Sequence, residues 1–336
     1  MLRRLALLLL LVLSVSACGG DQSYTAVTVD NAPSVARIKI LTGHTGGVNA
    51  VVWSPDGKMI ASAGDDRAIY LWDPDTGKEI RHWSGHTLAI TSLAFAPDGK
   101  TLASGGRDKA VILWDPADGR QLRTFSDSDQ ILALAFSPDG KLLASTGRSK
   151  TVIFSDPSTL QPVRTIKGFG DRVNDLAFSP DGATLATAAG DNKVQTWDVA
   201  SGAKKLEITD HKAGATAVAF SPDGKMLATG DGAAKIRVWD AASGSAIATC
   251  AGLIGTVRDL AFSPDSKTLA SASADHAFAL WNPATGARLG PGRTPAEQAA
   301  TGHGSEVNSV AWRPDGTIVA TGSYDQRVLL WAVQIQ

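Results

Sequence analysis

The sequence predicts an all-β fold, a closed ring of seven four-stranded sheets: a seven-bladed β-propeller. Three observations predict it. One phrase recurs seven times, as "VVWSPDGKMIAS", "LAFAPDGKTLAS", "LAFSPDGKLLAS", "LAFSPDGATLAT", "VAFSPDGKMLAT", "LAFSPDSKTLAS" and "VAWRPDGTIVAT". The aromatic before each turn falls at Trp53, Phe95, Phe136, Phe178, Phe220, Phe262 and Trp312, with spacings of 42, 41, 42, 42, 42 and 50. A period near 42 suits one four-stranded blade. Each unit also divides into short runs of β-branched and aromatic residues separated by Gly, Pro and Asp, as antiparallel strands joined by turns would. Finally, the last unit ends at "LLWAVQIQ" without a fourth run, while "VARIKILTG" ahead of the first unit has that pattern.

The elements follow in order. In blade one, "VNAVVW" is a first strand running into Ser-Pro-Asp-Gly, where proline presets φ and glycine tolerates positive φ. "MIASA" is the second strand, "GDDRA" a polar turn, "IYLWD" the third strand, "PDTG" a turn and "EIRHW" the fourth strand. Apolar residues crowd both faces, as a sheet wedged between two neighbours requires. The segment Val35 to Gly43 is expected to complete blade seven, which pairs the two ends of the domain and removes a free edge. The insertion Pro291–Ala300, "PGRTPAEQAA", belongs between the outer strand of blade six and blade seven. It is either a surface extension or a recognition loop.

A Gly-His pair opens a unit and a Trp-Asp pair closes it. Blade one carries Gly43-His44 and Trp72-Asp73, blade two Gly85-His86 and Trp114-Asp115, and blade seven Gly302-His303 and Trp331, with Ala332 where aspartate is usual. Over about residues 36–336 the chain resembles WD40 repeats. The resemblance implies a buried four-residue network in each complete blade, in which each polar group satisfies the next. The matching residues are His44, Ser62, Asp66 and Trp72 in blade one, His86, Ser104, Asp108 and Trp114 in blade two, and His303, Thr321, Asp325 and Trp331 in blade seven. The other blades look incomplete. Blade four has Phe169 for the histidine beside Thr187, Asp191 and Trp197. Blade five has Ala233 for the aspartate beside His211, Thr229 and Trp239. Blade six has Leu253 for the histidine beside Ser271, Asp275 and Trp281. Blade three holds Asp127, Ser145, Ser149 and Ser155 at the four places and is expected to be locally the loosest.

The trio His44, Ser62 and Asp66 has the composition of a hydrolase triad, but it recurs in blades two and seven at fixed spacing with a tryptophan. A catalytic site would occur once and face a pocket. Four of the six histidines occupy the repeated Gly-His position in separate blades, and no cysteine cluster or i,i+4 histidine pair accompanies them, so no metal site is expected. "DPDTG" at Asp73–Gly77 starts like a calcium loop, but loop position twelve is Ser84 rather than glutamate, which leaves a hairpin turn. No enzyme activity and no cofactor are expected.

The N-terminus reads as an address. Met1-Leu2-Arg3-Arg4 precedes an apolar run, Leu5 to Val15, which is shorter than the ~20 residues a membrane-spanning helix needs and matches a secretory signal. It ends Val15-Ser16-Ala17-Cys18, which resembles the lipobox of bacterial lipoproteins. That resemblance implies cleavage before Cys18 and acylation of Cys18, and Gly19 after it is similar to the outer-membrane sorting pattern if the cell is Gram-negative. The alternative is an ordinary cleavage after Ala17. The division is then a signal peptide at 1–17, a tether at 18–34 and the propeller at 35–336. As a flexible chain the sixteen residues from Gly19 to Ser34 would span about 20–25 Å. The other cysteine, Cys250, has no partner once Cys18 is acylated. The formal charge is −1 and falls to −3 without Arg3 and Arg4, which excludes the basic excess of a nucleic-acid binder.

The function these features imply is non-catalytic: a membrane-tethered scaffold for protein–protein interaction in the bacterial envelope, a single propeller acting within a complex. The alternatives are a small-ligand or glycan site, or an enzyme, at the central funnel. In WD40 propellers one face is built from the turns between second and third strands and the starts of the first strands. Carried over, that face presents Arg107, Arg148 and Arg172 with Asn174 on blades two to four, a basic arc suited to an acidic partner segment. It also presents Asp65 and Asn49 on blade one, Glu306, Asn308 and the aromatic Tyr324 on blade seven, and Arg258 standing apart on blade six.

Overall fold

The seven Pro-Asp turns set the architecture. In the first, Gly57 N–H donates to Ser54 O at 2.8 Å, and the Asp56 carboxylate accepts from Ser54 Oγ at 2.6 Å and Lys58 N at 3.1 Å. Gly57 takes φ 69°, and in the sixth turn Ser266 takes φ 64° where the others have glycine. Each turn joins the first two strands of one blade, and the rest of each repeat pairs onto them. The computed structural model describes residues 23–290 and 302–334. The signal, Cys18 and the insertion Pro291–Ala300 lie outside the described residues.

Blade one is Val48–Trp53, Ile60–Gly64, Ala68–Trp72 and Glu79–Ser84, all antiparallel. Blades two to six repeat this order, with first strands Ile90–Phe95, Ile131–Phe136, Val173–Phe178, Ala215–Phe220 and Val257–Phe262. In blade one every residue of the two middle strands is buried, whereas the fourth strand is largely exposed. The apolar side chains of both faces fill the wedges between blades. Full burial of each large side chain is worth about 1.5–3 kcal/mol, so the inter-blade wedges are the core.

Blade seven contains Val307–Trp312, Ile318–Ser323 and Arg327–Gln334, and Ala36–Thr42 pairs antiparallel with the last of these, from Ala36 opposite Ala332 to Thr42 opposite Arg327. The N-terminal strand therefore closes the ring, as its pattern predicts.

The preceding segment differs from expectation. Tyr24–Thr25 extends the pairing along the same strand, opposite Gln334 and Val333. Val27 N–H donates to Gly316 O at 2.9 Å, a one-turn helix spans Ala32–Ser34, and Val27, Ala32 and Val35 are buried between blades six and seven. Residues 24–34 are thus part of the domain and not a tether. Three spaced small apolar residues make no strand or helix period, but they fill a lateral wedge that only the assembled blades create.

Candidate functional site: the arginine face and the channel beneath it

The three complete networks form as expected. In blade one His44 Nδ1 lies 2.7 Å from Asp66 Oδ2 and Nε2 2.7 Å from Ser62 Oγ, which accepts the Trp72 indole N–H at 2.8 Å. Blade two has 3.0 Å from His86 to Asp108, 2.7 Å to Ser104, and 2.7 Å from Trp114 to Ser104. Blade seven has 2.9 Å from His303 to Asp325, 2.8 Å to Thr321, and 2.8 Å from Trp331 to Thr321. A neutral imidazole satisfies this chain: Nδ1–H donates to the carboxylate and Nε2 accepts the hydroxyl proton. Burial disfavours the charge on Asp66, yet bonds from His44 and from Thr45 N and Ala68 N hold its carboxyl below the usual range. The hydroxyls of Ser62, Ser104 and Thr321 are fully buried, so no substrate reaches them. They tie together the strands of their own blade.

Blade five corrects the sequence. Ala233 is replaced in the network by Asp231, whose carboxylate lies 3.1 Å from His211 Nδ1, while Nε2 meets Thr229 at 2.9 Å and Trp239 donates to Thr229 at 2.8 Å. The second strand ends at Asp231, and position 233 lies two residues on, in the turn. At the position matching 231 in blade two, a Cβ built on Gly106 would come 2.8 Å from His86 Nδ1. A side chain there points at the histidine, so Asp231 delivers the same group from the end of the second strand. Arg237 adds a charge-assisted bond to Asp231 at 3.1 Å. A search for a carboxylate within two residues of the expected place would have found it.

Blades four and six keep the hydroxyl–indole half, with Trp197 to Thr187 at 3.0 Å and Trp281 to Ser271 at 2.8 Å. Their aspartates cap the loop instead, accepting from Gly170 N at 3.0 Å and Ile254 N at 2.8 Å. Phe169 packs on Trp197 with ring centroids 5.3 Å apart. In blade three, Asp127 turns to Ser128, one of its carboxylate oxygens is buried without a partner, and Ser149 pairs with Thr151 at 3.0 Å. The core there is apolar: Phe154 is fully buried against Phe178 at 6.1 Å. Leu160 takes φ 55° where other blades have glycine, and it is buried in the wedge toward blade two.

On the arginine face Arg107, Arg148 and Arg172 are exposed, and among the described residues none is ion-paired. The Arg172 Nε–H donates to Asn174 Oδ1 at 2.8 Å, and the Asn174 amide donates to Ala215 O at 2.7 Å. Asn174 therefore orients Arg172 while tying blade four to blade five. Asp65 accepts from Asn49 at 2.9 Å. Tyr324 is 36% exposed and lies over Gly47, where an added Cβ would come 2.2 Å from its ring. Arg258 does not stand apart: it pairs with Glu306 at 2.5 Å across blades six and seven. The sequence pattern missed two exposed apolar side chains on this face, Leu88 at 52% and Ile254 at 86%. Leu88 precedes Ala89, whose carbonyl accepts from Arg107 N at 2.9 Å.

Beneath the face a channel of about 570 Å³ is lined by the seven first strands. Its rim is a ring of joints: Asn49 donates to Ile90 O, Thr91 to Ile131 O, Asn174 to Ala215 O, Thr216 to Val257 O and Asn308 to Val48 O, at 2.6–2.9 Å. One layer down, Asp175 accepts from Val218 N at 2.8 Å, and Asp259 accepts from Val310 N at 2.9 Å and Ser309 Oγ at 3.0 Å. Burial, and then the Asp259 charge, push the Asp175 carboxyl up to about 7, and burial pushes Asp259 up to about 6. Neither carboxylate was expected from the sequence, because the repeat pattern marks their positions only as small or polar. Among the described residues no group of three or more metal-ligating side chains occurs.

Comparison with known proteins agrees with this geometry. A segment is 47% identical over 45 residues, 13% of this chain, to 4% of mouse cilia- and flagella-associated protein 57. Another is 36% identical over 62 residues, 18% of this chain, to 12% of a subunit of chromatin assembly factor 1 from Schizosaccharomyces pombe. A third is 52% identical over 40 residues, 12% of this chain, to 12% of small ribosomal subunit protein RACK1 of Medicago sativa. The chain thus spans only 4% to 12% of the length of these relatives. The model of the WD domain, G-beta repeat, matches residues 36–73, 77–115, 119–156, 160–198, 202–240, 244–282 and 296–332, so the chain belongs to the WD40 family of propeller scaffolds, which typically serve protein–protein interaction.

Proposed function

We propose that this chain is a lipid-anchored, non-catalytic platform of the bacterial envelope that docks an acidic segment of a partner protein on the arginine face. The observation that carries the docking surface is the set of three exposed, unpaired arginines on consecutive blades, with Leu88 beside Arg107 as an apolar anchor. The guanidinium fork pairs carboxylates bidentately, and interface anchors are enriched in arginine and tyrosine, which gives Tyr324 a role at the edge of the same face. The anchor rests on the resemblance of the Val15–Cys18 box. A funnel-site ligand has less support, because the Asp175 and Asp259 carboxylates are committed to joints between blades.

The test is pull-down in mild detergent with mass spectrometry, comparing variants. Arg107→Glu, Arg148→Glu and Arg172→Glu together should abolish partner recovery and leave the melting temperature nearly unchanged. Lys58→Glu, Lys100→Glu and Lys141→Glu, in the Pro-Asp turns, should have little effect. The reverse pattern would move the docking surface to the opposite face. For the anchor, Cys18→Ser should shift the protein out of the detergent phase. A cleaved Cys18→Ser protein that still partitions with membranes would sink the lipoprotein assignment.

A further inference from the structure

Among the described residues the chain joins the propeller at the end with the Pro-Asp turns. Strand Arg327–Gln334 runs from the arginine face to the turn face. Tyr24–Thr25 pairs with its final residues, opposite Gln334 and Val333. Val27 N–H is bonded to Gly316 O, which belongs to the Pro-Asp turn of blade seven. From there Ala36–Thr42 climbs the outer edge of blade seven toward the arginine face. Pairing and burial of residues 24–35 hold the entry point in place.

We infer that, with the chain anchored at Cys18, the turn face is held toward the lipid surface and the arginine face is turned away from it, so that the docking partner is one that approaches from the aqueous side. The orientation rests on the lipid anchor proposed above. The reason is reach. Five residues lie between Cys18 and Tyr24, and the six steps, fully extended, span at most about 20–22 Å. The strand Arg327–Gln334, whose last residue lies opposite Tyr24, rises about 23 Å over its seven steps, and the loops of the arginine face lie beyond its first residue. A propeller with its arginine face on the membrane would place the entry point farther from the lipid than the connecting chain reaches. With the turn face toward the membrane the chain is short enough and Arg107, Arg148 and Arg172 remain accessible.

Energy transfer from single sites to acceptor dyes on lipid headgroups reads this out. Lys225→Cys on the turn face and Lys212→Cys on the arginine face belong to the same blade, and both positions are exposed. Cys250 does not compete for a thiol-reactive dye: it is 1% exposed, and burial pushes its thiol up to about 12. In one arm the chain from Gly19, with a polyhistidine in place of Cys18, is captured on phosphatidylcholine vesicles carrying nickel-chelating lipid, which imposes the anchor. Transfer from Lys225→Cys is expected to exceed that from Lys212→Cys several-fold. Equal or reversed transfer would overturn the orientation. In the second arm the mass of the cell-made chain reports whether Cys18 carries lipid. An unacylated Cys18 removes the anchor assignment and leaves the geometry measured in the first arm intact.

Discussion

The seam between blades seven and one and the seam between blades three and four hold the same ring in different ways. At the first, Asn308 donates to Val48 O at 2.9 Å, Val51 N donates to Ser309 Oγ at 3.2 Å, and the Trp53 indole donates to Ala311 O at 3.1 Å. At the second, the matching positions are Leu132 and Ala133 of blade three and Phe178 of blade four, and among the described residues no hydrogen bond joins the first strands of blades three and four. Lys150 reaches Gly170 O at 3.1 Å above them, and the rest is the apolar wedge of Phe154, Phe169, Val173, Leu176 and Trp197. Among the described residues the other internal seams carry such joints too, at Asn49, Thr91, Asn174, Thr216 and Asp259. The seam between blades three and four stands apart in resting on apolar burial between its first strands. Directionality is the difference: hydrogen bonds fix register, whereas burial is non-directional.

The largest expected effect breaks the first seam. Deleting Val35–Leu41 removes the closing strand and exposes the edge of Arg327–Gln334, an edge that templates aggregation. Loss of soluble protein, or a large drop in melting temperature, is expected on size exclusion and calorimetry. A deletion mutant that melts like the parent would show that the ring closes otherwise.

Next come the networks. Asp66→Ala strips His44 of its carboxylate and should cost about 1–3 kcal/mol, several times the effect of Asp75→Ala in an exposed turn or Ser149→Ala in blade three. Chemical denaturation compares the three, and equal midpoints would remove the network's energetic role.

Smaller effects sharpen the seams themselves. Asn308→Ala should lower stability by about 0.5–1.5 kcal/mol, while Leu132→Asn, which brings an amide to the bare seam, should raise it. Hydrogen exchange adds a local view: amides of Val173–Phe178 should exchange sooner than those of Val48–Trp53. Variants that shift in the same direction, with uniform exchange, would erase the contrast.

The smallest effect is a pH dependence. The Asp175 carboxyl is raised to about 7 in the fold, so the folded state holds its proton more tightly than the unfolded chain. That contribution is present below the unfolded value of about 4 and is lost as pH rises through about 7. The stability of Asp175→Asn relative to the parent should therefore improve as pH rises across that window. A difference that stays flat would show that the carboxylate ionises at no cost in the channel.

Much of this molecule was legible in advance because its information is local and repeated. Turn chemistry at Pro55-Asp56-Gly57, the alternation of strands and turns, and the fixed offsets among His44, Ser62, Asp66 and Trp72 each lie within one repeat, and seven copies averaged out the noise. The sequence by itself also determined that Val35–Gly43 must supply the missing strand, since a sheet lacking its edge had one unassigned candidate. Only the tertiary structure decided the rest. It placed Asp231 in the histidine's carboxylate site, folded residues 24–34 into the wedge between blades six and seven, paired Arg258 with Glu306, and buried Asp175 and Asp259 where blades meet. Each of these depends on which side chains from different repeats approach in space. That approach is set by the closure and wedge packing of the whole ring, which no single repeat encodes.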